Sequence, residues 1–139
     1  MDNAAPTLPP YALVVDDDGL IRMDAADILE QAGFRTLEAG SVDQALSILQ
    51  QHHQDVILLF TDVQMPGSQN GFALARETAR NYPHISIVVA SGQLKPGPGD
   101  LPEGARFIAK PFSAKLVHHH VSQVMPDERK PAPLKKLVG

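Results

Sequence analysis

The sequence predicts an α/β domain built on a mainly parallel five-stranded sheet with helices on both faces. Three observations carry that prediction. Short apolar runs such as YALVV and VILLFT have the composition of strands buried on both sides. Segments with apolar residues at helical spacing separate them. The chain of 139 residues is long enough for one such domain, and a second does not fit.

The elements follow in order. Tyr11–Val15 reads as the first strand. Ile21, Ala25, Ile28, Leu29 and Ala32 then repeat at helical spacing, and Gly33 supplies the stop. Residues 36–39 make a weaker second strand. Ser41 and Gln44 form a capping-box pattern ahead of Val42, Ala45, Leu46 and Leu49 on one helix face. Residues 56–61 are the third strand. Asn70 is placed to cap a third helix carrying Leu74, Ala75, Thr78 and Tyr82, which stops before Pro83. Residues 85–90 and Arg106–Ala109 are the fourth and fifth strands. A last helix starts near Ser113 and carries Leu116, Val117, Val121 and Val124.

One connection breaks the alternation. Residues 92–104 read GQLKPGPGDLPEG, more than half Pro and Gly, and each proline removes a backbone donor. A loop with at most a single helical turn is expected there instead of a helix.

Composition excludes several classes of function. With no Cys there is no disulfide framework, thiolate zinc site or cysteine nucleophile. A net charge of −4 works against a broad nucleic-acid surface. No apolar run is long enough to span a bilayer, and the start MDNAAPTLPP lacks a signal-peptide pattern. These features point to a small, soluble, cytoplasmic protein with no DNA or membrane partner. Prolines crowd both ends, so residues 1–10 and 126–139 are expected to be flexible tails around a domain at 11–125. The second tail carries Arg129, Lys130, Lys135 and Lys136 against Asp127 and Glu128, and is net basic.

In open α/β sheets ligands bind beyond the carboxyl ends of the strands. Strand one ends at Asp16, Asp17 and Asp18, strand three at Asp62, strand four at Ser91 and strand five at Lys110. Taken singly, each has an ordinary explanation. The aspartates can be caps or turn residues, the serine a local hydrogen-bonding group, and the lysine a solvated charge. Together at one sheet edge they suggest chemistry. Clustered carboxylates repel unless a cation sits among them, and such hard oxygen ligands suit Mg²⁺. A lysine and a hydroxyl beside the ion can hold phosphoryl oxygens. His118, His119 and His120 do not make a second metal site, because consecutive helical residues point about 100° apart. The His52 and His53 pair is set aside on the same ground.

The strings LVVDDDGLIR, LLFTDVQMPG, VVASG and FIAKPF, in this order and spacing, resemble the receiver domain of two-component response regulators over residues 11–125. The resemblance implies a doubly wound, flavodoxin-like sheet of strand order 2-1-3-4-5. It implies that Asp62 is the phosphoacceptor, taking a phosphoryl group from a phosphohistidine on a sensor histidine kinase or histidine phosphotransfer protein. Mg²⁺ would be held by Asp16, Asp17, Asp62 and the backbone carbonyl of Gln64. Lys110 would pair with a phosphoryl oxygen, and Ser91 and Phe107 would be the switch pair. Gln64 and Gln93 fall where the family tunes the lifetime of the phosphoryl group, and the Lys110–Pro111 bond would be cis. In this family a helix normally occupies residues 92–104, so dimerisation through that face is not expected here. Phe107 has no hydroxyl, so a switch there works by packing.

The resulting expectation is a stand-alone receiver that signals by phosphorylation-dependent contact with an unidentified downstream protein. It would be a phosphoacceptor and not a turnover enzyme. The alternatives are a degenerate receiver used as a binding module, and a Mg²⁺-dependent aspartyl phosphohydrolase. The latter usually needs a second carboxylate where this chain has Gln64.

Overall fold

The computed structural model describes residues 8–67 and 69–138. Five strands form one parallel sheet in the order β2-β1-β3-β4-β5, namely β1 Tyr11–Val15, β2 Arg35–Ala39, β3 Val56–Asp62, β4 Ser86–Ser91 and β5 Arg106–Ala109. Helices α1 Gly19–Gln31, α2 Val42–His52 and α3 Gly71–Asn81 join the first four strands, and α4 Ala114–Val124 follows β5. No helix joins β4 to β5, as the Pro and Gly content of that segment predicts.

Strand alternation divides the core in two. Ala12, Val14, Leu58, Phe60, Val88, Ala90 and Ile108 face α1 and α4. Leu13, Val15, Leu59, Ile87 and Val89 face α2 and α3. Burial on both faces is what near-continuous apolar strands require. Four side-chain caps start the helices: Asp18, Ser41, Asn70 and Ser113 each accept a backbone N–H from the first turn. At α2 the capping box is displaced, since Gln44 Oε1 accepts from Gly40 N (2.8 Å) one residue before the cap. Gly33, at φ +100°, ends α1 as read from the sequence.

Two strand ends extend beyond expectation. β3 includes Asp62, in register with Ala90, and β4 includes Ser91, in register with Ala109. Both polar residues therefore belong to the ladder, not to the loops that follow.

The expected flexible tail at 126–139 needs correction. Residues Asp127–Arg129 form a 3-10 turn and Ala132–Val138 form α5. Leu134 is fully buried in the α1–α4 core layer, and Arg129 Nη1 donates to His84 O (2.7 Å). Prolines misled the reading because Pro131 and Pro133 stand at the start of a helix, where a missing N–H costs nothing. Those two rings pack against Gly33, whose absent Cβ leaves the space. Of the N-terminal tail, residues 1–7 lie outside the described part. Pro9 O and Pro10 O accept from Arg35 Nε and Arg35 N (2.6 and 2.9 Å).

Because Leu134 is core, Leu134→Ala should destabilise the chain by about 2–5 kcal/mol. Urea unfolding measures this, and a change within error would show that α5 is not part of the folding unit.

Candidate functional site

The polar residues named above meet at the carboxyl edge of the sheet, because parallel strands all end on one side. Lys110 Nζ lies 2.9 Å from Asp16 Oδ2 and 3.0 Å from Asp62 Oδ1, bridging two buried carboxylates, one just after β1 and one at the end of β3. Asp17 is exposed beside them, and carboxylate oxygens of Asp16, Asp17 and Asp62 lie within 4.8 Å of one another. Among the described residues this is the one cluster of three or more side chains suited to a metal.

The electrostatics follow from burial. Desolvation raises the Asp62 pKa above its ordinary 3.8, and the Asp16 charge adds to this. The Lys110 hydrogen bond opposes both without cancelling them. Burial alone would lower the pKa of Lys110, but its bonds to Asp16 and Asp62 carry it above the usual 10.5. Three carboxylates against one ammonium leave negative charge uncompensated. A hard divalent cation fits that donor set.

Local structure fixes each group. Asp16 Oδ1 accepts from Asp18 N (2.9 Å), and Asp18 Oδ1 in turn caps α1. Ser91 Oγ accepts from Leu94 N (3.1 Å), and Ser91 O accepts from Lys110 N (3.0 Å), so β4 holds the end of β5. The Lys110–Pro111 peptide is cis. Phe107 is half-buried against the α2–α3 core layer, in register with Val89. Gln64 and Gln93 are exposed.

The three consecutive histidines of α4 take different surroundings, though the rings of His119 and His120 meet edge-on with centroids 5.5 Å apart. His118 is buried with Nε2 2.8 Å from Ile28 O, while His120 Nδ1 accepts from Arg106 Nε (3.2 Å). His118 takes an inward position on α4, and Leu116, expected on the buried face, is 36% exposed.

Three contributors escaped the sequence reading. Gly71 packs on the backbone of Asp62 so closely that a Cβ there would overlap the Asp62 carbonyl, and its N–H donates to Val63 O (2.8 Å). The glycine after the Asn70 cap was the available signal. Phe112 meets Phe60 of β3 edge-on (centroids 5.5 Å apart), anchoring the turn after Lys110. Arg22 donates from Nη1 to Asp16 O (2.9 Å).

The comparisons agree with this geometry. The family model described as response regulator receiver domain matches residues 12–122. The chain is 31% identical over 116 residues to the sensor kinase CckA of Brucella abortus, covering 81% of this chain and 12% of that one. It is 30% identical over 118 residues to the transcriptional regulatory protein PdtaR of Mycobacterium tuberculosis, covering 80% of this chain and 54% of that one. The chain thus spans about half the length of PdtaR and a small part of CckA. Among solved structures, the receiver domain of the hybrid histidine kinase CckA superposes with a TM-score of 0.70 at 30% identity, covering 84% of this chain and 99% of that one. A receiver domain protein from Clostridium thermocellum gives 0.71 at 26% identity, covering 84% and 94%.

Two outcomes are expected from the site. Gly71→Ala should cost about 1–3 kcal/mol by overpacking and shift the Asp62 amide resonance; an unmoved Asp62 amide would show that α3 absorbs the methyl. The second concerns pH. A carboxylate with a raised folded-state pKa takes up a proton on folding between 3.8 and that value. Its contribution to stability therefore falls as pH rises through the window. Metal-free Asp62→Asn should melt above the parent at pH 7, and the gap should close in acid below 3.8. A gap independent of pH would contradict the assigned shift.

Proposed function

The chain belongs to the response regulator receiver domain family, and from that premise we propose that Asp62 accepts a phosphoryl group from a phosphohistidine. The donor would be a sensor histidine kinase or a histidine phosphotransfer protein. The observation that carries the reading is Lys110 Nζ held at 2.9 and 3.0 Å between Asp16 and Asp62 at the sheet edge.

An oxygen of Asp62 attacks phosphorus, the P–N bond to the donor imidazole breaks, and a P–O bond forms on Asp62. Lys110, already within ion-pair distance of the nucleophile, holds a phosphoryl oxygen as charge builds there. The carboxylates of Asp16, Asp17 and Asp62 and the backbone carbonyl of Gln64 would hold Mg²⁺, which when bound would supply charge neutralisation at both reacting groups. The Ser91 hydroxyl accepts from Leu94 N–H, and its own proton is available for a phosphoryl oxygen. Movement of Ser91 is matched by repacking of Phe107. Gln64 and Gln93, two residues after Asp62 and Ser91, would tune how long the group survives hydrolysis.

The product stays on the chain, so the domain acts as a phosphoacceptor and not as a turnover enzyme. Its output, in this reading, is protein contact biased by the phosphorylated state. A net charge of −4 disfavours contact with a nucleic-acid backbone. No helix among the described residues is long and apolar enough to cross a membrane.

Incubation with acetyl phosphate and Mg²⁺ should add one phosphoryl group by intact mass, and Asp62→Asn or a chelator should abolish the gain. Modification that survives Asp62→Asn would refute the acceptor assignment. Absence of any Mg²⁺-dependent change would favour a pure binding module, and steady turnover of phosphate esters would favour a hydrolase.

A further inference from the structure

Arg22 lies inside the LVVDDDGLIR string but has no part in the chemistry above. Its surroundings give it one. Nη1 donates to the backbone carbonyl of Asp16 (2.9 Å), and Nε is paired with Glu38 Oε1 on β2 (3.0 Å). Gly40 lies beside the guanidinium.

That carbonyl belongs to the peptide unit joining Asp16 to Asp17. Asp16 is fixed three more times: its N–H donates to Ala39 O (3.1 Å), Oδ1 accepts from Asp18 N, and Oδ2 meets Lys110. Asp17 has no side-chain hydrogen bond or ion pair among the described residues. Its carboxylate is therefore placed by its backbone alone, and the orientation of the Asp16–Asp17 peptide sets the direction in which it leaves β1. We infer that Arg22, clamped by Glu38, is a positioning residue that fixes this peptide plane and so holds Asp17 in the divalent-cation site. The inference rests on the metal-site reading under Proposed function.

Simple electrostatics predicts the opposite effect of removing Arg22. Deleting a positive charge beside a cation site strengthens cation binding, whereas loosening the peptide weakens it. Arg22→Met keeps the apolar stem and deletes the donors. Titration calorimetry of the full chain with Mg²⁺ should show binding weaker by roughly ten-fold or more, the range for groups that orient metal ligands. In the metal-free protein the Asp17 amide resonance should move while those of β3 and β4 stay in place, which a general loss of stability would not produce. Affinity equal to or tighter than the parent's would overturn the inference and leave the metal site standing. If the parent shows no Mg²⁺ binding that Asp17→Asn abolishes, the metal-site reading falls and the role of Arg22 falls with it.

Discussion

Two buried carboxylates that face each other cannot stay charged without a cation between them, and Lys110 meets that requirement in this domain. Its ammonium touches Asp16, just past the first strand, and Asp62 at the end of the third, while its own backbone is held by Ser91 at the end of the fourth. One lysine thus ties strand ends that are far apart in sequence. The surrounding architecture keeps it in place. Phe112 anchors the turn that follows it through Phe60, and Gly71 sets the height of Asp62. Burial keeps the pKa of Asp62 raised, with the Asp16 charge adding to it, despite the opposing hydrogen bond from Lys110.

Much of this was legible in the residues, for reasons that differ by element. The central strands β1, β3 and β4 are buried on both faces, so their apolar runs are nearly unbroken. The edge strands β2 and β5 are half-exposed and carry polar residues, yet all five boundaries fall within a residue or two. Helix starts were readable because Ser41, Asn70 and Ser113 are caps with a mechanism. The site residues were readable because a parallel sheet sends every strand end to one edge, which turns sequence position into spatial position. What escaped was contact across that logic. The one local mark of Gly71 is its place after the Asn70 cap; its role comes from the approach of α3 to the backbone of β3. The side chain of Arg22 crosses to β2, and such a reach has no periodic signature. The C-terminal prolines were read as breakers, though at a helix start proline is compatible with the fold.

The segment between β4 and β5 shows how a domain copes without a covering helix. Leu101 and Ala105 pack onto the α2–α3 core layer in its place. Asp100 accepts from Gly97 N (2.7 Å) and its backbone carbonyl accepts from Arg76 Nη1 of α3 (3.1 Å). A few tethers therefore replace the continuous hydrogen bonding of a helix. Connections held this way open more readily than helices do, and this one begins at Ser91, whose hydroxyl already bonds Leu94.

The receiver match ends at residue 122, yet the side chain that closes the α1–α4 seam is Leu134. The unit of ancestry and the unit of folding have different edges in this chain. A cut, graft or fusion planned on the inherited edge would remove part of the hydrophobic interior, and the fragment left behind would be a receiver with an unsealed core.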